Sequence, residues 1–341
     1  MIHLDLTGTH YEMGRKLGSF FKEQNIMFPI KLNKWLEIRG IESLRLLEKY
    51  MPDVAAEIQG ITDVIGYDYN IFGAWMMSMG CYLTLHKNQN IEIRGCTALC
   101  FTNNNKIFYG RDNDLPPYLK ESSKSIYYRP DGKMNFLMNT SSFTNGEEGI
   151  NESGLVVAMT FVAPHKTEIM VGINSVFIVR YILENCTNVK QGIEMLYRLP
   201  IASSCNILLA DKTNEMVVVE CSPTEINIRY PEINCNGEKF IVTVNHFTSS
   251  KMRKYDRSNQ NVYSSKIRYE TAYNALLERN YEDAISFAKD ILMGKFGFMC
   301  QYKNVKFETV WSTIFDIVDF KMFLSNGNPQ YQQYQEYNLT F

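Results

Sequence analysis

The Gly95-Cys96 junction is where sequence of helical character gives way to sequence of β character, and it places a thiol at the head of the first strand beyond the change. A glycine leaves its own carbonyl sterically open and its dihedrals unrestricted. The Cys96 thiol is therefore positioned to attack the Gly95 carbonyl, and hydrolysis of the resulting thioester would leave Cys96 with a free α-amino group. Such an amine has a reference pKa near ~8, which suits it to take the proton of its own thiol, as an N-terminal threonine uses its own amine. One residue would then supply both nucleophile and base.

The companions of Cys96 along the chain fit this chemistry. After an Asn-rich turn comes Gly110-Arg111-Asp112-Asn113-Asp114, and a hairpin of that size returns Arg111 and Asp114 to the neighbourhood of Cys96. A guanidinium stabilises a thiolate, and a carboxylate can hold and orient an ammonium. Asn151, in Gly149-Ile150-Asn151-Glu152-Ser153-Gly154-Leu155, and Asn245, after an apolar strand, are side-chain amides at strand ends that can donate to a tetrahedral oxyanion. Ser249 to Ser258 carries Lys251, Arg253, Lys254 and Arg257, either a solvated loop or a recognition site for a carboxylate or phosphate.

The elements that must position these residues fall into blocks. Residues 1 to 95 are expected to be mostly helical: Tyr11 to Lys34, Leu44 to Tyr50, Asp53 to Ile65 after Pro52, and Tyr69 to Leu85, apolar all round. Strands follow at Thr97 to Thr102, Lys106 to Tyr109, Ser125 to Arg129, Met134 to Met138 and Leu155 to Phe161, with Asn103-Asn104-Asn105 and Pro130-Asp131-Gly132 as hairpin turns. Helices return at Ser175 to Glu184 and Val189 to Tyr197, then a hairpin of Asn206 to Ala210 and Met216 to Cys221, and a strand from Phe240 to Val244. Helices at Ser265 to Arg279 and Tyr281 to Met293 precede late strands at Thr309 to Asp316 and Lys321 to Leu324. Strands grouped as hairpins and helices grouped elsewhere predict an α+β layering.

Composition narrows the function classes. Thirty-five basic residues against 37 acidic ones leave no net field to gather the chain on nucleic acid or an anionic membrane. The start of the chain lacks the basic and apolar regions of a secretory signal, which predicts an intracellular, cytoplasmic protein. Tyr69 to Leu85 falls short of the ~20 predominantly apolar residues that a membrane helix needs. Five histidines without close ligand spacing predict no metal, and the absence of phosphate-binding glycine motifs predicts no cofactor. Eight cysteines without a C-x-x-C pair are expected to be buried thiols rather than a disulfide framework.

Taken together, Arg94-Gly95-Cys96-Thr97, Gly110-Arg111-x-x-Asp114, the Asn151 run, Asn206-Ile207-Leu208-Leu209-Ala210-Asp211, Val244-Asn245-His246-Phe247, Ser265-Lys266-Ile267-Arg268-Tyr269 and Trp311-Ser312 resemble the N-terminal-nucleophile hydrolases of the linear amide C-N hydrolase group. The pattern looks most like the acyl-coenzyme A:6-aminopenicillanic acid acyltransferase (C45) branch, with bile salt hydrolase and penicillin V acylase as more distant cousins. It extends from Tyr11-Glu12-x-Gly14 to Gly327-Asn328-Pro329.

The resemblance implies an αββα four-layer sandwich with two antiparallel sheets between helical layers. It implies a precursor cut between Gly95 and Cys96, so that residues 1–95 form an α-fragment that stays bound to a catalytic β-fragment, 96–341. By family role, Cys96 is the nucleophile and carries the basic amine, Asp114 holds that amine, Arg111 poises the thiolate, Asn151 and Asn245 form the oxyanion hole, and Arg268 supports the site. Arg268 is assigned by resemblance alone, and Ser265 is an equal alignment for that role. Asp112 and Asn113 depart from the pattern, standing where relatives usually carry asparagine and an aromatic or other apolar residue. Many bile salt hydrolases expose their cysteine by losing only the initiator methionine, so the need for an internal cut points away from that branch.

The expected reaction is cleavage of a non-peptide C-N amide of an N-acyl small molecule through an acyl-thioester, with release to water or transfer to another amine. Beyond its substrate and its own α-fragment, no nucleic-acid or membrane partner is expected, and a homo-oligomer is left open. Two other readings stand beside this one: a cysteine protease using His246 or His165 as base, and an uncut, non-catalytic binding protein of the same fold.

Overall fold

The computed structural model describes residues 1–79, 95–141, 145–164, 169–256, 264–278, 280–302 and 307–341. Strand β1 (Ile2–Gly8) leads into helices α1 (His10–Glu23), α2 (Lys34–Tyr50), α3 (Pro52–Ile65) and α4 (Tyr69–Ser78). Strands β2 (Gly95–Asn103), β3 (Lys106–Leu115), β4 (Lys124–Pro130), β5 (Phe136–Thr140), β6 (Glu148–Asn151) and β7 (Leu155–Phe161) come next, then α5 (Ser175–Asn185) and α6 (Val189–Arg198). The rest is β8 (Cys205–Asp211), β9 (Met216–Cys221), β10 (Ile226–Arg229), β11 (Glu232–Ile233), β12 (Lys239–Thr243), α7 (Ser265–Glu278), α8 (Ala284–Leu292), β13 (Glu308–Asp316), β14 (Lys321–Ser325) and β15 (Gln335–Asn338).

Local signals explain the helical starts. Thr9 and Glu12 form a reciprocal capping box on α1, Asn33 and Asp68 cap α2 and α4, and Pro52 occupies the first turn of α3, which Gly66 ends at φ 76°. Helices α1 and α3 cross at glycines. A Cβ on Gly14 would lie 2.1 Å from the Glu57 carbonyl oxygen, and one on Gly60 would lie 2.2 Å from that of Tyr11.

Two sheets result, ordered β1-β4-β5-β6-β7-β8-β9-β10 and β11-β12-β2-β3-β13-β14-β15. Three apolar interfaces define four layers. Side chains of α1 to α6, such as Phe21, Phe72 and Ile182, pack on one face of the eight-stranded sheet. Ala98, Tyr109, Ile150, Val156 and Phe315 fill the space between the sheets. Leu99, Phe101, Leu276 and Ile291 join the seven-stranded sheet to α7 and α8. The predicted αββα sandwich is thus present.

Several boundaries differ from expectation. The helix expected over Tyr11 to Lys34 stops at Glu23, because Asn25 adopts φ 51° and Pro29 follows, and the helix expected from Leu44 already starts at Lys34. Strand β3 runs past its expected end at Tyr109 through Gly110 to Leu115, and Asn151 is the last residue of a strand, β6, that was not foreseen. Strand β1 was not foreseen at all; it pairs in parallel with β4, from Ile2 opposite Lys124 to Gly8 opposite Pro130. The turn at Asn104 and Asn105 is as expected, both at left-handed φ. The last residues of the helix expected to reach Leu85, Arg279 of the next, and His165, Arg257 and Ser258 lie outside the described residues. Among the described residues, no helix is long and apolar enough to cross a membrane.

The first 79 residues are tied to the rest by a buried ionic cluster. Arg180 on α5 donates to both Glu57 oxygens on α3 and, through Nε, to Glu184 at 2.8 Å. Glu184 also meets His10 of α1 at 3.2 Å. Breaking a buried pair by neutralising one member leaves the other charge uncompensated. Glu57→Gln is therefore expected to lower unfolding free energy by about 3 kcal/mol, measured by urea denaturation; a loss near zero would show that the cluster adds nothing to this junction.

Candidate active site

The β2–β3 hairpin places the chemistry. Cys96 lies opposite Asn113, Ala98 opposite Arg111, Thr97 opposite Asp112 and Gly95 opposite Asp114. Because side chains alternate along a strand, Cys96, Arg111 and Asn113 share the face toward the other sheet, and Thr97, Asp112 and Asp114 share the face toward α7. A register irregularity in β13 serves both faces: Thr309 lies opposite Asp114 and Trp311 opposite Asn113. Thr309 Oγ1 donates to Asp114 Oδ1 at 2.6 Å on one side, and the Trp311 ring lies 5.6 Å from the Arg111 guanidinium on the other.

On the inter-sheet face, Arg111 Nη2 donates to Cys96 Sγ at 3.0 Å and to Asn113 Oδ1 at 2.9 Å. Arg111 Nη1 is held by the Met159 carbonyl at 2.6 Å and, more weakly, by that of Glu147 at 3.4 Å. Burial is the largest influence on the Cys96 thiol and pushes its pKa up; Arg111 pulls it down, Asp114 pushes it up and Arg268 pulls it down, leaving it raised. Burial thus favours the neutral form of Cys96.

At the strand's start, the backbone N–H of Cys96 donates to Asn245 Oδ1 at 2.8 Å. Arg268, fully buried on α7, donates through Nη1 to the Cys96 carbonyl and to Thr97 Oγ1, both at 2.7 Å, and through Nη2 to Asn245 Oδ1 at 2.8 Å. Two obligate donors thus point at one oxygen, which fixes the Asn245 amide and turns its Nδ2 to the Phe161 carbonyl at 2.9 Å. The backbone around Asn245 is held in turn: its N–H donates to Ser265 Oγ, and Asn206 Nδ2 donates to the Val244 carbonyl at 2.9 Å.

The structure gathers Cys96, Arg111, Asp114, Asn245 and Arg268 into one cluster. Asp114 is not the partner of the Cys96 nitrogen here. Its carboxylate accepts from Thr309 and from the Tyr302 hydroxyl at 2.9 Å and faces Arg268 Nη1 at 3.7 Å. Of the two alignments for the supporting role, Arg268 is the one that touches Cys96, whereas Ser265 bonds Asn245 and His246.

Asn151 stands apart. Its Nδ2 donates to the Leu183 and Cys186 carbonyls at 2.9 and 2.8 Å, and its Oδ1 accepts from Ser153 and Leu155, so it ties the end of α5 to the β6–β7 turn. Nδ2 is committed to the end of α5 and Oδ1 to the turn, and among the described residues no hydrogen bond joins the side chain to the Cys96 cluster. His246 is hydrogen-bonded to Ser265 at 2.8 Å rather than to Cys96, and burial followed by Arg268, Lys266, Arg229 and Arg253 pushes its pKa down to about 4. In the basic loop, Lys251 is paired with Glu225 at 2.7 Å.

Asn113, Thr309, Tyr302 and Asn206 carry no role that the sequence alone reveals, although Asn206 lies in Asn206–Asp211 and the polarity of Asp112 and Asn113 is itself a signal, since polar residues in a fully buried strand need partners. Asp112 lacks them. Neither of its oxygens has a hydrogen-bond partner among the described residues. Ser312, nearby, uses its hydroxyl on the Arg111 carbonyl and on Tyr334.

A cysteine heading the inner strand of an αββα sandwich, with a guanidinium on its sulfur and an amide on its nitrogen, defines the class of N-terminal-nucleophile hydrolases. Residues 100–331, about two-thirds of the chain, match the family model of acyl-coenzyme A:6-aminopenicillanic acid acyl-transferase, so the chain belongs to that family of enzymes. The match begins just after Cys96 and spans Arg111, Asp114, Asn245 and Arg268.

Among solved structures, the chain is similar to penicillin V acylase from Agrobacterium tumefaciens (15% identity over 68% of this chain and 83% of that one, TM-score 0.43). It is also similar to the N-acylethanolamine-hydrolyzing acid amidase ortholog of Caenorhabditis elegans (16%, 72% and 100%, TM-score 0.47) and to a mutant conjugated bile acid hydrolase from Clostridium perfringens (13%, 72% and 97%, TM-score 0.45). No curated protein shows a significant sequence match.

The buried acids yield a pH test. Burial, then the adjacent Asp114, pushes the Asp112 carboxyl well above the usual carboxylate range. A carboxyl whose pKa rises on folding adds stability below its unfolded pKa and loses it as pH rises through the folded value. The native chain should therefore weaken from mildly acidic to alkaline pH, and Asp112→Asn should weaken less, as read from urea unfolding at a series of pH values. Equal slopes in the two proteins would mean that folding leaves the Asp112 pKa where it was.

Proposed function

We propose that this enzyme matures by cutting its own chain between Gly95 and Cys96, and then uses Cys96 to cleave the C-N amide of an N-acyl small molecule. The observation that supports the reading best is the pair of contacts on one residue. Arg111 lies 3.0 Å from the sulfur, and Asn245 Oδ1 lies 2.8 Å from the nitrogen that would become the amine.

In maturation, Cys96 Sγ attacks the Gly95 carbonyl carbon. The Gly95–Cys96 C–N bond breaks, its nitrogen takes up a proton, and a thioester joins Gly95 to the sulfur. Water hydrolyses the thioester to a Gly95 carboxylate and a Cys96 with free thiol and free α-amine. Gly95 fits this step sterically, since a Cβ there would lie 2.8 Å from the Phe307 ring and 3.1 Å from Asp114 Cβ. Asp114 Oδ2 lies beside Gly95, so departure of that residue leaves the carboxylate facing the new ammonium, with Asn245 Oδ1 on its other side.

In turnover, the α-amine removes the thiol proton and the thiolate attacks the substrate carbonyl. Asn245 Nδ2, with one hydrogen on the Phe161 carbonyl, offers its second hydrogen to the developing oxyanion, a donor of the kind that stabilises such intermediates. The ammonium then protonates the departing amine, leaving an acyl-thioester. Water, deprotonated by the same amine, releases the acid. An amine in place of water gives acyl transfer, the activity that the family's name describes. Residues 1–79 stay in place through the β1–β4 ladder and the Glu57–Arg180 contact, so residues 1–95 act as a retained α-fragment of the 96–341 catalytic fragment.

Cys96→Ala is expected to persist as one species of 39.6 kDa by intact mass and to hydrolyse no N-acyl amide, whereas the native chain yields two fragments meeting at Gly95 and Cys96. Turnover by the alanine variant would overturn the assignment. Asn245→Ala, assayed on matured protein, should reduce kcat by ~10² or more with little change in KM; a change in KM alone would make Asn245 a substrate-binding residue.

A further inference from the structure

The departure at position 113 carries chemistry of its own. Asn113 is fully buried directly across the ladder from Cys96, with its Oδ1 3.4 Å from Sγ and 2.9 Å from Arg111 Nη2. Its Nδ2 faces Ser141 Oγ at 3.3 Å. Donor and acceptor accounting fixes which end of the amide is which. A guanidinium only donates, so the atom facing Arg111 must be the oxygen. Trp311 Nε1 also only donates, and it points at Ser141 Oγ from 3.2 Å. That hydroxyl therefore accepts from both Trp311 and Asn113 and gives its own hydrogen to Ser123 Oγ, 3.0 Å away, whose hydrogen goes to the Leu119 carbonyl at 2.8 Å. The chain of bonds runs in one direction and ends with an acceptor aimed at the sulfur.

An acceptor in that place favours S–H over S⁻. A protonated thiol can donate to Oδ1, whereas a thiolate would face an oxygen lone pair. The same oxygen takes the second hydrogen of Arg111 Nη2, holding the guanidinium against the sulfur. We propose that Asn113 is a positioning residue for the nucleophile, keeping Cys96 an oriented, uncharged thiol beside a docked Arg111 until a base takes its proton. The inference rests on Cys96 being the nucleophile of the proposed reaction, and it adds a check on that nucleophile: Arg111 draws the proton off and Asn113 holds it on. The other charged groups around Cys96 are Asp114 on β3, Arg268 on α7, Glu147 ahead of β6 and, once the chain is cut, its own α-ammonium, and a change at 113 leaves every one of these charges in place.

The test is the titration of Cys96 itself, read as far-ultraviolet thiolate absorbance against pH after subtraction of the same variant carrying Cys96→Ala. Labelling of the Cys96 peptide by iodoacetamide, followed by mass spectrometry, gives a second readout. Asn113→Leu and Asn113→Ala remove the acceptor, while Arg111 stays anchored through Nη1 on the Met159 carbonyl, and should move the midpoint down by about one pH unit. Asn113→Asp puts a carboxylate in the same place and should move it up by about 1–3 units. Opposite shifts support the inference. A midpoint unmoved in the alanine or leucine variant, or moved upward in either, overturns it, because a merely structural residue gives no ordered pair of shifts. Either outcome is separate from the fate of the nucleophile assignment, which Cys96→Ala decides by turnover and mass.

Discussion

Two guanidinium groups buried on opposite faces of one strand pair are the constraint around which this molecule is arranged. Arg111 projects from β3 toward the other sheet, and Arg268 reaches in from α7 to the Cys96 carbonyl. A charge taken out of water needs several well-placed acceptors, and here those acceptors are the Cys96 sulfur, its backbone carbonyl and the Asn113 and Asn245 oxygens. Satisfying the two arginines and assembling the site are one problem with one solution. It also explains why the strand is polar where a buried strand is normally apolar.

The layers follow from where each face of the hairpin must go. Its inter-sheet face meets Met159 of the second sheet and Glu147, just ahead of β6, through Arg111, so the two sheets are joined by polar contacts within an otherwise apolar interface. Its outer face is closed by α7 and by Tyr302 and Thr309, which keep Asp114 in place. The β13 irregularity lets neighbouring residues of one strand attend to both faces at once.

Much of this was legible in the sequence. Alternation and turn residues gave Leu155–Phe161 to the residue, and the chemistry of a glycine-cysteine junction led to Arg111, Asp114 and Asn245. What escaped had physical reasons. The strand was expected to end at Tyr109 because glycine, aspartate and asparagine, which make up Gly110 and Asp112 to Asp114, are poor strand formers in isolation, and only their contacts with Cys96, Arg268 and Thr309 make a strand of them. Asn151 and Asn245 look alike locally, each an amide beside a strand end. Long-range partners separate them, α5 for one and α7 for the other. Strand β1 has no partner near it in sequence, and its pairing with β4 depends on a contact across more than 100 residues.

That parallel ladder bears on how the molecule could be rebuilt once disturbed. A continuous chain finds β4 with β1 as a loop closure, whose cost grows only slowly with length. A chain severed ahead of Cys96 would have to bring two separate polypeptides together, so recovery from denaturation would depend on protein concentration. The processed enzyme would then owe its persistence to the height of its unfolding barrier more than to a reversible equilibrium.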